Sequence, residues 1–217
     1  MTLHPLLRKT SFSRSSIKGE IDIFFSASIA ITANTGVGKS TTLRNLRQRF
    51  SPIMRFVSGG DLMRLRAEQF GFPNIESFAN YNKLHPEDGH DQWLDSQLAF
   101  FGSQNFTVIE SRLAHLVAPH AFTVKLTCPT DVRAERRLKD RPNSTFAVEK
   151  QLIVDRDADD AHRYSKLYPD CMWADDQFDL VIDTSVRSID EVVEDIVDGH
   201  HAWVEDKQGK LCFEVIV

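Results

Sequence analysis

An α/β fold with a mostly parallel sheet, covered on both faces by helices, is predicted by two observations. Short β-branched runs alternate with amphipathic segments along most of the 217 residues, and the first run opens into a glycine-rich turn ending in Lys39-Ser40. Ser28–Ala33 (SIAITA) is short, β-branched and bounded by turn residues, which reads as a buried strand. A helix over Lys39–Phe50 sets Leu43, Leu46 and Phe50 on one face. After the Ser51-Pro52 break, Ile53–Ser58 reads as a strand, and Asp61–Phe70 as a helix ending near Gly71 and Pro73. Helices over Ile75–Lys83 and Asp91–Phe101 lead to strands Phe106–Glu110 and Phe122–Cys128. Pro129 stops the second of these, and Thr130 or Asp131 is expected to cap a helix over Val132–Asp140. A long helix over Phe146–Leu167, a strand over Phe178–Asp183 and a helix over Ile189–Gly199 complete the alternation. Beyond it, Ala202–Glu205 and Leu211–Val217 flank a polar turn containing Gly209, which predicts a terminal hairpin.

Composition excludes several classes. With 41% hydrophobic and 26% charged residues the chain matches an ordinary globular protein, neither disordered nor fibrous. Its length suits one domain able to bury its own core without disulfides. Lys and Arg number 26 against 31 Asp and Glu, a net charge of −5, so a surface that grips nucleic acid over its whole extent is not expected. Cys128, Cys171 and Cys212 are odd in number and widely spaced, which fits free thiols rather than a metal or redox motif. No apolar run approaches the roughly 20 residues of a membrane span. The start, MTLHPLLRKTSFSRSS, lacks the apolar core of a signal peptide and reads as a frayed tail. A cytoplasmic protein with no membrane or nucleic-acid partner is the expectation.

The strongest motif is Ala33-Asn34-Thr35-Gly36-Val37-Gly38-Lys39-Ser40, which matches G-x-x-x-x-G-K-[ST] with Ala33 in place of the first Gly. Its context, a strand before and a helix after, separates it from any Gly-rich turn beside a surface lysine. The glycines let successive backbone N–H groups turn inward as an anion nest, and the helix adds the positive end of its dipole. Asn34, Thr35, Gly36, Val37, Gly38, Lys39, Ser40 and Thr41 are therefore the candidate ATP-binding residues. Lys39 reaches the outer phosphates in this reading, and Ser40 ligates Mg²⁺ accompanying ATP.

Arginines supply the second signal. Arg64 in SGGDLMR follows the second strand, and Arg112 in Glu110-Ser111-Arg112 follows the third. Ligands of open parallel sheets bind beyond the carboxyl ends of strands, so both arginines start at that edge and suit a second phosphate. Arg133, Arg136 and Arg137 share one helix, where they form either a charged surface or a flap that closes over ATP and neutralises developing charge. Arg156, Asp160 and Arg163 lie at i, i+4 and i+7, one helical stripe. That stripe is either a surface ladder with Asp160 pairing both arginines, or a wall for ribose hydroxyls and phosphate.

Together the P-loop, SGGDLMR (Ser58–Arg64), DQWLDSQ (Asp91–Gln97), VIESR (Val108–Arg112), DVRAERR (Asp131–Arg137), RDADDAHR (Arg156–Arg163) and DLVIDTS (Asp179–Ser185) resemble the nucleoside monophosphate kinases, and most closely the cytidylate kinases in their short archaeal form. The resemblance implies a P-loop three-layer fold with a central five-stranded parallel sheet. It implies a kinase domain over 27–199, an NMP-binding region at about 59–102 and a helical lid at about 130–165, leaving 1–26 as a tail and 200–217 as the hairpin extension. Carried over residue by residue, it makes Lys39, Arg133, Arg137 and Arg156 catalytic, with Arg133 and Arg137 in the lid and Arg133 near the ATP base. Ser58, Asp61, Arg64, Gln97, Arg112, Arg156, Asp160 and Arg163 would surround the acceptor nucleotide, with Ser58 and Gln97 toward the pyrimidine edge. Asp61 would organise Mg²⁺ through water. Ser111 stands where the family more often has Gly, adding bulk beside the acceptor phosphate.

The activity implied is ATP-dependent phosphorylation of CMP or dCMP by direct in-line transfer, in a monomer. His85, His90, His115, His120 and His162 are assigned to surface or packing. Two other readings stay open at this level. One is a kinase of the same fold with a hydroxyl acceptor, for which Asp61 would be the base. The other is a nucleotide-binding module without transfer.

Overall fold

The computed structural model describes residues 28–50, 53–169 and 174–214, with side chains described to Lys207. The N-terminal tail lies outside the described residues. Five strands, β1 (Ile29–Ala33), β2 (Arg55–Ser58), β3 (Thr107–Ser111), β4 (Phe122–Thr127) and β5 (Leu180–Asp183), form one sheet in the order β2-β3-β1-β4-β5. Every pairing is parallel, with Ile29 opposite both Val108 and Phe122. The helices are α1 (Lys39–Phe50), α2 (Gly59–Gln69), α3 (Ile75–Leu84), α4 (His90–Gly102), α5 (Ala114–Val117), α6 (Thr130–Lys139), α7 (Phe146–Leu167) and α8 (Ile189–Glu214).

Strand alternation divides the core into two layers. Ile29 and Ile31 of β1 pack with Leu43 and Leu46 of α1 and Val192 and Ile196 of α8. Ala30 faces the other way, onto Val57, Leu98, Ile109 and Ala114. On that second face Thr32 is buried in mid-strand. Its hydroxyl accepts from the backbone N–H of His115 at 3.2 Å and lies 3.1 Å from His115 Nδ1, so His115 is a packing residue. Because β3 and β4 flank β1, the chain leaves β1 in one direction and later crosses it in the other. The loop after β1 therefore opens at the crevice where such sheets bind ligands.

Several boundaries moved for local reasons. The helix expected from Asp61 begins at Gly59, because the Ser58 hydroxyl accepts from the Asp61 N–H at 3.3 Å and caps the first turn. Neither Thr130 nor Asp131 caps α6; Pro129 holds that position, and the Thr130 hydroxyl accepts from Arg133 at 3.0 Å. The four-residue α5 has no periodicity to announce it.

The terminal hairpin is a correction. Helix α8 does not stop at Gly199 but runs to Glu214, so 202–214 is helical; residues 215–217 lie outside the described ones. Gly199 serves close packing rather than termination. A Cβ there would stand 3.0 Å from the Phe122 ring and 3.2 Å from Leu180. The apolar stripe of α8 also continues past it, with Trp203 packed against the same core layer.

Candidate active site

Between β1 and α1 the backbone turns through Gly36 at φ +78° and Gly38 at φ +109°, a region costly for residues with a Cβ. A Cβ on Gly36 would lie 3.4 Å from Arg133 Cβ and 3.6 Å from Arg137 Cδ, so α6 rests directly on the loop. Ala33, the departure from the motif, is buried as the last residue of β1 opposite Leu126. Lys39 folds back across the loop and donates to the Asn34 carbonyl at 3.0 Å. Its ammonium also lies 3.7 Å from Glu110. Burial pushes it down to about 8; Glu110 opposes that fall, while Arg112 and Arg156 add to it. Ser40 and Thr41 are exposed in the first turn of α1.

Glu110 was not among the residues singled out from sequence, although it stood in the Glu-Ser-Arg motif. It is buried near the end of β3, the strand beside β1, and its second oxygen accepts from the Ser58 hydroxyl at 2.9 Å. An acidic residue closing the strand next to the P-loop strand was the available signal. With the Ser40 hydroxyl it supplies hard oxygen donors of the kind Mg²⁺ takes alongside phosphate oxygens and water. Asp61 is instead exposed and paired with Arg64 at 2.7 Å.

A charged wall runs from the loop to α4. Arg112 donates to the Thr35 hydroxyl and pairs with Asp160 at 2.7 Å. Asp160 pairs in turn with Arg163 at 3.1 Å, and Arg163 reaches Asp91 at 3.4 Å. The surface ladder within one helix is thus replaced: Asp160 takes Arg112, just after β3, as its first partner, not Arg156. The buried guanidinium at the strand end competes better than an exposed neighbour on the same helix. Arg156 is exposed and makes no ion pair among the described residues, while its charge is felt at Lys39. Arg64 lies at the edge of this region, its guanidinium nitrogens 3.7 Å from where Gly60 would carry a Cβ. Gln97 is half-buried in the middle of α4. Ser111 turns its hydroxyl to the Leu113 N–H at 3.0 Å, and its Cβ lies 3.1 Å from where a Cβ on Gly59 would stand. Its bulk is therefore spent on packing α2.

Helix α6 rests on the loop, and α7 packs against α6. Arg133, nearly buried, donates to the Thr35 carbonyl at 3.1 Å and pairs with Asp157 at 2.7 Å. Arg137 donates to the buried Glu149 at 2.8 Å and holds that carboxyl below its ordinary range. Arg136 reaches the Thr184 carbonyl at 2.5 Å and the Val37 carbonyl at 3.3 Å, tying α6 to the loops after β1 and β5. The segment 74–89, without a motif of its own, forms α3 and a turn, and Lys83 there pairs with Asp159 of α7.

A P-loop at the switch point, with an arginine-bearing helix resting on it and a row of ion pairs beside it, fits a P-loop kinase. Solved structures share the fold. A gluconokinase from Sinorhizobium meliloti 1021 superposes with a TM-score of 0.54 at 16% identity, over 86% of this chain and 98% of that one. A shikimate kinase from Bacteroides thetaiotaomicron gives 0.51 at 14%, over 79% and 96%. A family model described as an AAA domain matches residues 29–146, and one described as cytidylate kinase matches 92–202. The cytidylate kinase of Haloarcula marismortui is 35% identical over 144 residues, 64% of this chain and 71% of its own. That of Methanocaldococcus jannaschii is 28% identical over 180 residues, 79% and 97%. The chain belongs to the cytidylate kinase family and is a nucleoside monophosphate kinase. Among the described residues no helix is long and apolar enough to cross a membrane.

Proposed function

We propose that the protein transfers the γ-phosphoryl group of ATP to CMP or dCMP, releasing ADP and the diphosphate. The observation that carries this is Arg112. It joins the P-loop threonine to Asp160 on α7, so a cationic site for a second phosphate adjoins the loop that takes the first. Asn34 through Thr41 hold the ATP phosphates. Arg112, Arg163 and Arg64 hold the acceptor phosphate, Asp160 the ribose, and Gln97 faces the base. The Ser58 hydroxyl is already taken by Glu110 and the Asp61 N–H. An acceptor oxygen attacks the γ-phosphorus in line as the bond to the β-phosphate oxygen breaks. The acceptor phosphate loses its second proton near pH 6, so no strong base is needed. Lys39, Arg133, Arg137 and Arg156 balance charge that spreads over the transferred group. Mg²⁺ with ATP, held by Ser40 and through water by Glu110 or Asp61, would neutralise phosphate charge.

An ADP-release assay with ATP, Mg²⁺ and each NMP and dNMP tests the reading. CMP and dCMP are expected to be the best acceptors. ADP release with none of them, or only with a hydroxyl acceptor, overturns it.

The depressed Lys39 ammonium predicts a pH profile. kcat/KM for ATP reports the free enzyme, in which Lys39 loses its proton near 8, so this ratio falls as pH rises through about 8. kcat stays level to higher pH, because bound triphosphate stabilises the ammonium. In Lys39→Arg the break near 8 is absent, since a guanidinium does not titrate there. Retention of the break in that variant would assign it to another group. The sign on stability is opposite. From about 8 to 10.5 the unfolded chain binds the proton more tightly, so the Lys39 contribution to stability rises with pH.

A further inference from the structure

We infer that Thr184 is a positioning residue for the phosphate-binding loop. Its hydroxyl holds the Val37 carbonyl away from the nest and so keeps the N–H of Gly38 turned toward the ATP phosphates. This rests on the role of the loop proposed above and does not depend on which monophosphate is the acceptor.

Thr184 follows directly on β5, within the DLVIDTS stretch whose role the site left open. Its N–H donates to the Thr127 carbonyl at 2.9 Å, which carries the pairing of β4 with β5 one residue past Asp183. That bond sets the side chain at the carboxyl edge of the sheet, where it reaches across the end of β4 to the P-loop. Both partners are shut off from water: Thr184 is 5% exposed and Val37 2%. The Val37 side chain packs in the core layer with Leu43 and Val192, so the carbonyl held by Thr184 faces the body of the protein.

The direction of the bond follows from counting protons. The Thr184 hydroxyl lies 2.8 Å from the Val37 carbonyl and 3.2 Å from that of Thr127, and it has one proton to give. Thr127 is already served by the Thr184 N–H. Arg136 donates to the hydroxyl oxygen at 3.1 Å, which occupies a lone pair and leaves the proton for Val37. The same guanidinium donates to the Thr184 carbonyl at 2.5 Å and to the Val37 carbonyl at 3.3 Å, so it clamps both ends of the contact.

A planar trans peptide points its C=O and N–H in opposite directions. Fixing the Val37 carbonyl toward β5 therefore aims the Gly38 N–H the other way, into the nest. Gly38 needs such a hold. At φ +109°, with nothing within 4 Å of where a Cβ would stand, it has no side chain to stop the preceding peptide from turning over. Two other loop carbonyls are also held, that of Asn34 by Lys39 and that of Thr35 by Arg133. Those partners are cations, which phosphates also attract. Thr184 is neutral, so its hold persists when a nucleotide binds.

The test is calorimetric ADP binding and steady-state kinetics for wild type, Thr184→Val and Thr184→Ser, with a nucleotide-free thermal melt as the folding control. Wild-type ADP binding tests the role of the loop by itself, and its absence would overturn that role and this inference together. Thr184→Val keeps the shape and loses the hydroxyl. Its Kd for ADP and KM for ATP are expected to rise roughly tenfold or more, the worth of one charge-assisted hydrogen bond, with the KM of CMP unchanged. Thr184→Ser, which keeps the hydroxyl, is expected to bind ADP as wild type does. Unchanged ADP affinity in folded Thr184→Val overturns the assignment. So does an equal loss in Thr184→Ser, which would assign the effect to packing of the methyl group. If Thr184→Val does not fold, wild type carries the test by nuclear magnetic resonance. ADP is expected to move the Gly38 amide proton downfield as its N–H bonds a phosphate oxygen, and an unmoved resonance overturns the assignment.

Discussion

Lys39→Ala is expected to lower kcat by roughly 10²–10³-fold, the range for removing one charge-stabilising donor from an enclosed site. Lys39 is the cation of the P-loop, held by the Asn34 carbonyl and by Glu110, which keep its ammonium over the loop before any ligand arrives. Burial lowers its proton affinity, and Arg112 and Arg156 add to that fall, so the charge is held at a cost that Glu110 partly offsets. A bound triphosphate relieves that cost, and the relief is larger as charge moves onto the transferred group. The loss should therefore fall on kcat as well as on ATP binding. Steady-state ADP release at saturating CMP, with a thermal melt as the folding control, reads the effect. A folded variant with unchanged turnover would sink the assignment of the loop lysine.

Arg112→Ala acts on the other substrate. The KM of the monophosphate should rise by tens of fold while that of ATP changes little, since one charge-assisted hydrogen bond is worth about 1.5–3 kcal/mol. A second effect separates this arginine from a surface one. Asp160 would keep Arg163 but lose the partner at 2.7 Å, leaving a buried carboxylate underpaired. The variant should therefore melt lower than wild type, and adding Asp160→Ala should recover part of the loss. Equal weakening of ATP and monophosphate would show that Arg112 acts through Thr35 on the loop instead.

Much of the fold was legible because its signals are local. Five β-branched runs separated by amphipathic segments gave the strands and most helices, and α7 follows its sequence span from Phe146 to Leu167. Where signals conflicted, packing decided. Gly199 reads as a stop in isolation, yet against the Phe122 ring it is the residue small enough to let α8 continue. Likewise Ser58 reads as a candidate for the base edge, but its hydroxyl caps α2 and bonds Glu110.

By itself the sequence determined the alternation of elements, the P-loop with its lysine, and the presence of arginines after the second and third strands. These depend on side-chain periods and on the strain tolerance of glycine, which act over a few residues. Only the tertiary structure decided which charges meet. Thr35, Arg112, Asp160, Arg163 and Asp91 come from the P-loop, β3, α7 and α4, and their pairing follows from burial and from the crossing of β1 by the chain. Coulomb attraction selects the nearest desolvated partner rather than the nearest in sequence. That is why Asp160 holds Arg112 while Arg156, one turn away on α7, stays exposed and makes no ion pair among the described residues.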